Sequence, residues 1–178
     1  NGMKLLVAGT ALALPRTIAL HGVSVAIIAL SMAKILEMKG MKDLHLLALG
    51  CLIHDAGHAE HEEAFGKPAG ILAPVELAAF KAHPLAGTQA LKEQKHYDQH
   101  VVDIMLEHEE LIDGSGFPKG LMHAYPLLAA TANSFDRCLH LENERPHSAL
   151  RRILAEKNGQ HPPEHLKALS TLVVSLTK

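Results

Sequence analysis

Aromatic residues are scarce in this chain of 178 residues, which has no tryptophan, two tyrosines and four phenylalanines. A core with so few large rings must come from Leu, Ala, Ile, Val and Met, and of these Leu, Ala and Met favour helices. The chain also lacks a run of alternating polar and apolar residues bounded by turns, which is the pattern of a half-buried strand. We therefore predict an all-α domain with an aliphatic core.

A strong net charge is absent as well, since 17 basic residues oppose 19 acidic residues and the formal charge is −2. Bulk electrostatics therefore recruits neither a nucleic acid duplex nor an anionic membrane. The two cysteines, Cys51 and Cys138, lie in apolar runs without a Cys-x-x-Cys motif, and no secretory signal is evident. We expect both thiols to be reduced and buried, and the protein to be cytoplasmic.

One hydrophobic run, at residues 17–33, is long enough to raise the question of a membrane span. It has 17 residues and contains His21, whereas about 20 apolar residues are needed to cross a bilayer. We predict a buried core helix here and no membrane partner. We expect Asn1 and Gly2 to be left over from cloning, and residues 1–178 to form a single domain cut from a longer protein.

Glycine and proline divide the chain into about seven helical stretches. In the first, Leu20, Val23, Ile27 and Leu30 repeat at intervals of three and four, which is the period of a helix. Three glycines and a proline between residues 113 and 120 exclude a helix there. The predicted helices form a bundle and cover residues 15–38, 42–59, 74–94, 100–111, 126–140, 145–157 and 162–176.

Histidine is unusually frequent, with 14 residues, and the strongest local signal is the pair His54-Asp55. This pair follows an apolar run at the end of a predicted helix, where an ionised Asp is costly unless it is paired or bound to a metal. Adjacent helical residues point about 100° apart, yet both can reach metal ions beside a helix end. Neutral imidazole is a common metal ligand, so the pair indicates a metal site.

Four further segments accompany this pair in a fixed order. Together the five resemble the HD-GYP branch of the HD phosphohydrolases over residues 21–148. The segments are His54-Asp55-Ala56-Gly57-His58, Lys67-Pro68 with Leu72, His83-Pro84 with Gly87, the stretch from His108 to Pro118, and Asp136 with Arg145-Pro146.

The resemblance implies an all-helical HD-GYP-like domain that hydrolyses phosphodiesters, typically cyclic di-GMP, with two divalent transition-metal ions such as iron or manganese. Two close metals activate a bridging water and neutralise charge on the phosphate. The implied metal ligands are His21, His54, Asp55, His83, His108, Glu109 and Asp136. The implied catalytic residues are Asp55 and His58, and the implied substrate-binding residues are Gly116, Phe117, Pro118 and Arg145.

The chain departs from the family pattern at several positions. Glu109 stands where the family has a second adjacent His, and His58 replaces a Lys that is thought to lie over the phosphate. Thr17 replaces an acidic residue, which favours two metals over three. The family's final aspartate matches either Asn133 or Asp136, and we prefer Asp136 because a carboxylate binds these metals better than an amide. Phe117 replaces the family's Tyr.

Three functions remain open at this stage. The first is a phosphodiesterase for cyclic di-GMP or a related cyclic dinucleotide. The second is a degenerate regulatory or binding module without turnover, favoured by the changes at Glu109 and His58. The third is a general HD phosphohydrolase acting on nucleotides, which the glycine-rich loop argues against. A partner signalling domain and a homodimer are both compatible with the resemblance. We interpret His61 and the acidic loop around it as a solvated surface.

Overall fold

The computed structural model describes residues 17–59, 65–93, 97–118, 123–156 and 159–176. These residues form seven α-helices and two short 3-10 helices, and no strand occurs among them. The all-α prediction is confirmed. The α-helices are α1 Ile18–Ile35, α2 Met41–Ile53, α3 Pro74–Glu93, α4 Gln99–Glu107, α5 Ala124–His140, α6 Pro146–Glu156 and α7 Pro163–Ser175, and the 3-10 helices are η1 Ala56–His58 and η2 Ala69–Ile71.

Side-chain caps and prolines set the helix starts. The Thr17 hydroxyl accepts a hydrogen bond from the backbone N–H of Leu20 at 3.1 Å, so α1 begins after Thr17. The predicted start at residue 15 lies outside the described residues. Asp98 caps α4 in the same way through the backbone N–H of His100, at 3.1 Å. Helices α3, α6 and α7 each begin with a proline, whose missing N–H costs nothing in a first turn.

Three predicted helices end earlier than expected. The first ends at Ile35 rather than at residue 38, and the other two end beside a candidate ligand. The helix predicted over residues 42–59 stops at Ile53, and the helix predicted over 100–111 stops at Glu107. The capping residues are His54 and His108, whose rings bond to carbonyls of the preceding turn. Ending there frees the following acidic residue to turn away from the helix.

The apolar core, as we name it, is built around α1. This helix packs against α2, α5 and α7. Ile18–Ile35 is the one described helix long and apolar enough to cross a bilayer by length and composition, but half of its window is buried in the fold. The core residues share complete burial and include Ile28, Met32, Leu47, Phe135, Ile153 and Leu169.

A glycine contact brings the two halves of the candidate site together. A Cβ on Gly57 in η1 would lie 2.0 Å from the carbonyl oxygen of His83 and 2.7 Å from the backbone nitrogen of Gly87. Only glycine allows this approach of η1 to α3. Gly57 therefore fixes the distance between the His54-Asp55 pair and His83.

Candidate metal centre

Three histidines are held in the same way by the main chain. His54, His83 and His108 each direct Nδ1 at the carbonyl oxygen three residues earlier. The distances are 2.7 Å to Cys51, 2.5 Å to Phe80 and 2.9 Å to Met105. A carbonyl oxygen only accepts, so each Nδ1 must carry the proton and each Nε2 must carry a lone pair. The backbone thus sets three imidazoles in the tautomer that binds a metal through Nε2.

Pro84 explains why the carbonyl of Phe80 is available to His83. Pro84 lies inside α3 and has no N–H to donate to the residue four positions earlier, which is Phe80. The ring of His83 takes up the freed carbonyl. The His-Pro dipeptide is therefore a local device that orients a ligand, and its sequence alone encodes it.

A fourth histidine, His21 on α1, is oriented by a carboxylate instead. Its Nδ1 donates to Oδ2 of Asp136 at 2.6 Å. The Ser24 hydroxyl donates to Oδ1 of Asp136, and Nδ1 of His140 lies 2.9 Å from the same oxygen. Burial alone would raise the pKa of Asp136, but its hydrogen bonds with His140 and His21 hold that pKa far below the usual value. Asp136 is therefore an ionised group that fixes the ring of His21.

Asp55 lies where the four rings meet, and each of its oxygens faces two of them. Oδ2 is 3.2 Å from Nε2 of His21 and 3.5 Å from Nε2 of His54. Oδ1 is 3.1 Å from Nε2 of His83 and 3.2 Å from Nε2 of His108. The carboxylate thus spans two pairs of imidazoles. We call Asp55 and these four histidines the histidine cluster.

Every atom that the cluster directs inward is an acceptor. The Nε2 atoms of His21 and His54 are 3.2 Å apart, and those of His83 and His108 are 2.9 Å apart. Neither oxygen of Asp55 has an aligned hydrogen-bond donor among the described residues. All five side chains are at most 2% exposed. Lone pairs packed this closely repel one another unless a cation lies between them, so the donor set fits divalent metal ions.

The charges of the cluster agree with this fit. Burial alone would raise the pKa of Asp55, but His54 and then His108, His21 and His83 hold it well below its usual value. Burial lowers the pKa of His54 well below its usual value despite the Asp55 carboxylate. Burial alone would lower the pKa of His108, but the hydrogen bond and charge of Asp55 raise it, so a metal would displace a proton there. The ionised Asp55 and the neutral His54 are in the protonation states that a metal requires.

Glu109 lies at one side of the cluster, and an amide holds it. Its Oε1 accepts a hydrogen bond from Nδ2 of Asn133 at 3.1 Å and lies 4.0 Å from Nε2 of His108. Burial alone would raise the pKa of Glu109, but Arg137 and then His108 hold it below its usual value. Glu109, His83 and His108 offer ligand atoms within 4.8 Å of one another, so Glu109 is placed to join the ligand set.

The predicted role of Asp136 as a ligand does not fit this geometry. Its carboxylate bonds to Nδ1 of His21, on the opposite side of the ring from the Nε2 that faces Asp55. The alternative, Asn133, has a buried Oδ1 without a hydrogen-bond partner among the described residues. Sequence favoured Asp136 by ligand preference alone, whereas the helix places Asp136 behind His21. Carboxylates that orient a ligating histidine in this way are typical of metal sites.

His58 is completely buried and stacks on His83, with ring centroids 3.9 Å apart. Both of its ring nitrogens are without hydrogen-bond partners among the described residues. Burial, followed by the effect of His83, lowers the pKa of His58 to about 3. The ring is therefore neutral near pH 7, so His58 does not supply the positive charge of the Lys that the family pattern has at this position.

The glycine-rich loop packs onto the end of α4. A Cβ on Gly116 would lie 2.4 Å from the carbonyl oxygen of Glu109, so this close approach requires glycine. The N–H of Phe117 donates to the same oxygen at 3.2 Å, and the peptide bond to Pro118 is cis. The ring of Phe117 meets Phe80 at 5.7 Å between centroids. The predicted substrate residues 116–118 therefore lie beside the cluster.

Arg145, the remaining predicted substrate residue, lies elsewhere. It is exposed just before α6, which packs against α5 and α7. Its described contact is the backbone bond from the N–H of Ala149 to its carbonyl oxygen, and no side-chain contact to the cluster occurs among the described residues. Its substrate role stays a prediction.

Several residues of the site were not predicted from the sequence. Ser24 and His140 both bond Asp136, and Arg137 lies 4.0 Å from Glu109 with its guanidinium over Phe80. His140 could have been found, because it follows Asp136 by four residues and so lies on the same helix face. Arg137 could have been noticed as a permanent charge within the most buried helix, α5.

Three histidines outside the cluster make ordinary structural contacts. His161 and His165 are buried around the hydroxyl of Thr131, at 3.3 and 3.5 Å. His123 pairs with Glu107 at 2.8 Å, and this carboxylate raises the pKa of His123. His61 and its acidic neighbours, with residues 60–64, lie outside the described residues.

Comparison with known proteins agrees with the fold. Residues 9–125 match the family model described as HD domain. A cyclic di-GMP phosphodiesterase of Pseudomonas aeruginosa is 31% identical over 158 residues, which are 84% of this chain and 37% of the relative. The chain therefore spans less than half of that relative's length.

Two solved structures are similar. The HDG"Y"P protein Bd1817 from Bdellovibrio bacteriovorus superposes with a TM-score of 0.82 and 34% identity, over 89% of this chain and 53% of that one. The HD domain of the phosphodiesterase PgpH from L. monocytogenes, in complex with cyclic-di-AMP, has a TM-score of 0.65 and 17% identity over 90% of both chains, which shows a shared fold alone. The chain belongs to the HD-domain family, in its HD-GYP branch.

Proposed function

We propose that the protein is a metal-dependent phosphodiesterase that hydrolyses cyclic di-GMP or a related cyclic dinucleotide. The observation that carries the proposal is the convergence of four imidazole Nε2 atoms on the two oxygens of Asp55, which have no aligned hydrogen-bond donor among the described residues. The similarity to a cyclic di-GMP phosphodiesterase supports the substrate class.

The ligand atoms divide into two sets that share Asp55. One set is His21 and His54 with Oδ2, and the other is His83 and His108 with Oδ1, joined by Glu109. We assign one divalent ion to each set, with iron or manganese as the preferred metals because imidazole and carboxylate suit mid-row ions. Thr17 supports two ions rather than three, since its hydroxyl caps α1.

Bound metals supply an activated water and neutralise charge on the phosphate oxygens. The chain contributes orientation and shielding. The backbone carbonyls and Asp136 lock the imidazole tautomers, and Phe117 with Phe80 forms an apolar wall beside the cluster. His58 remains a proposed catalytic residue, because its Nε2 lies 4.0 Å from Oδ1 of Asp55 and has no hydrogen-bond partner among the described residues. Since its ring is neutral near pH 7, its role would be to accept a proton rather than to donate one.

We also propose a cytoplasmic location and a role in signalling as one single-domain output unit of residues 1–178. A partner signalling domain would regulate it, and a homodimer is compatible with that arrangement. Neither a nucleic acid duplex nor a membrane is a proposed partner, since the net charge is only −2 and α1 belongs to the core.

The test compares the parent with Asp55→Ala, in which both metal sets lose their shared ligand. Metal per chain is measured by elemental analysis after anaerobic loading with iron or manganese, and turnover is measured on cyclic di-GMP, cyclic di-AMP and a panel of mononucleotides. We expect close to two ions in the parent, a clear loss in the variant, and at least about a 1,000-fold drop in turnover of a cyclic dinucleotide.

Each contrary outcome points elsewhere. Undiminished turnover in Asp55→Ala would contradict the site. Metal in the parent without turnover of any cyclic dinucleotide would favour the binding module, and turnover of mononucleotides alone would favour the general nucleotide phosphohydrolase.

A further inference from the structure

We propose that Arg137 is a substrate-binding residue that contacts a phosphate group of the substrate. It would supply, from α5, a positive charge beside the carboxylate of Glu109. This inference rests on the proposed function and deepens it.

The guanidinium of Arg137 is incompletely satisfied. Its NH1 atom is buried and has no hydrogen-bond partner among the described residues, although the side chain as a whole is 15% exposed. A guanidinium is always charged and offers five donors in a planar fork that matches phosphate oxygens. A buried N–H without an acceptor is costly, so this atom calls for an anionic ligand.

Arg137 lies at the edge of the histidine cluster. Its Cζ atom is 4.9 Å from the centre of the Phe80 ring, and that ring meets His83 at 5.5 Å and Phe117 at 5.7 Å between centroids. The stacked guanidinium is therefore held beside the loop that carries the predicted substrate residues. Stacking on an aromatic face fixes its orientation before a ligand arrives.

The ion pair with Glu109 does not satisfy the hydrogen-bond donors of Arg137. The distance between NH1 and Oε1 of Glu109 is 4.0 Å, which is too long for a hydrogen bond, and Oε1 already accepts from Asn133 at 3.1 Å. An anionic substrate beside the carboxylates of Asp55 and Glu109 needs a compensating cation. Arg137 lies where its charge would balance both the carboxylate of Glu109 and a bound phosphate.

The other positions considered for this role are unsuitable. His58 is fully buried and stacked on His83, so it has neither the length nor the freedom of a lysine. Arg145 is exposed before α6, with no side-chain contact to the cluster among the described residues. Arg137 is the cation that the structure places beside Glu109.

The experiment titrates inorganic phosphate into the metal-loaded protein and follows binding by calorimetry. The variants are Arg137→Met, which keeps an apolar stem over Phe80, and Arg137→Lys, which keeps the charge without the fork. Arg151→Met, at an exposed position on α6, is the matched control. Metal per chain and helical content are measured for each protein, so a folding defect or metal loss is visible.

We expect Arg137→Met to bind phosphate at least about tenfold more weakly than the parent, with metal content unchanged, because a charged hydrogen bond is lost. Arg137→Lys should fall between, and Arg151→Met should match the parent. With bis(p-nitrophenyl) phosphate as substrate, Arg137→Met should raise KM by a larger factor than it lowers kcat.

Phosphate affinity equal to the parent in Arg137→Met would overturn the inference. Loss of metal or of folding in both Arg137 variants would also overturn it, because Arg137 would then serve only to hold Glu109. The inference would also be overturned if the metal-loaded parent did not bind phosphate. Phosphate binding that depends on Arg137, without turnover of any cyclic dinucleotide, would sustain the inference and contradict the proposed function.

Discussion

The histidine cluster and the apolar core are equally buried but opposite in chemistry. Asp55 and the four histidines are at most 2% exposed, and Ile28, Met32, Ile153 and Leu169 are at 0%. In the core, burial stabilises the fold by removing apolar surface from water. In the cluster, burial removes water from the two oxygens of Asp55, which have no aligned hydrogen-bond donor among the described residues, and this costs stability unless a cation binds. Burial alone therefore does not distinguish the two regions, whereas the oxygens of Asp55, unpartnered within the described part of the chain and set among four imidazoles, do.

The largest predicted effect is a loss of stability on substitution in the apolar core. Leu169 is completely buried on α7, within the apolar core. Leu169→Ala should lower the free energy of unfolding by about 2–5 kcal/mol, because it removes apolar contacts and leaves a cavity. Urea denaturation of chelator-treated protein measures the loss, and elemental analysis should find unchanged metal per folded chain.

Asp55→Ala should change metal content rather than stability, which is the opposite of the effect of Leu169→Ala. It should lose metal and activity while the chelator-treated protein stays about as stable as the parent, because a buried carboxylate without a cation is a liability. Two outcomes would contradict this contrast between the cluster and the core. One is a loss of metal in Leu169→Ala, and the other is a chelator-treated Asp55→Ala that is destabilised as much as Leu169→Ala. Either outcome would mean that the two regions form one cooperative unit.

Asp136 lies between the two regions and sharpens the comparison. Asp136→Asn should weaken metal binding about 10–100-fold, because the carboxylate that orients His21 is replaced by an amide. Competition with a calibrated chelator measures the affinity. Ser24→Ala, which removes one hydrogen bond to the same carboxylate, should give a smaller loss in the same direction. Equal affinity in Asp136→Asn and the parent would show that His21 needs no orienting carboxylate.

The smallest predicted effect concerns the pair Glu109 and Asn133, which stand where the family has His and Asp under one alignment. Each single change spoils the contact between them: Asn133→Asp places two carboxylates together, and Glu109→His removes the acceptor of Asn133. The double variant restores a complementary pair. We expect a coupling of about 1–2 kcal/mol in metal affinity, favouring the double variant over the sum of the single changes. Additive effects would mean that the two positions act independently.

The helices and the members of the histidine cluster were open to prediction from sequence, and for the helices the reason is local. Prolines, glycines and caps mark helix ends within the chain itself, and the His-Pro dipeptide orients His83 through the carbonyl that Pro84 frees. The resemblance then named all five members of the histidine cluster. The early ends of α2 and α4 were missed, because the bonds from His54 and His108 to their own helices are not visible in hydrophobic periodicity.

The roles of Asn133, Asp136 and Arg137 were beyond sequence. All three lie on α5 within about one turn, so their spacing could not say which of them faces the cluster. The position of His21 decides that Asp136 lies behind the ring, and the position of Glu109 decides that Asn133 and Arg137 lie beside it.

The sequence by itself determined the helices, the aliphatic core and the residue types of a metal site, since these follow from local propensity and from motifs carried on single segments. Only the tertiary structure decided which lone pairs converge, because that depends on how α1, η1, α3 and α4 approach one another. The contact at Gly57 and the orienting bonds of four imidazoles set that approach. The directions of Nε2 and Oδ atoms are properties of packing, and they turn histidines distributed along the chain into one site.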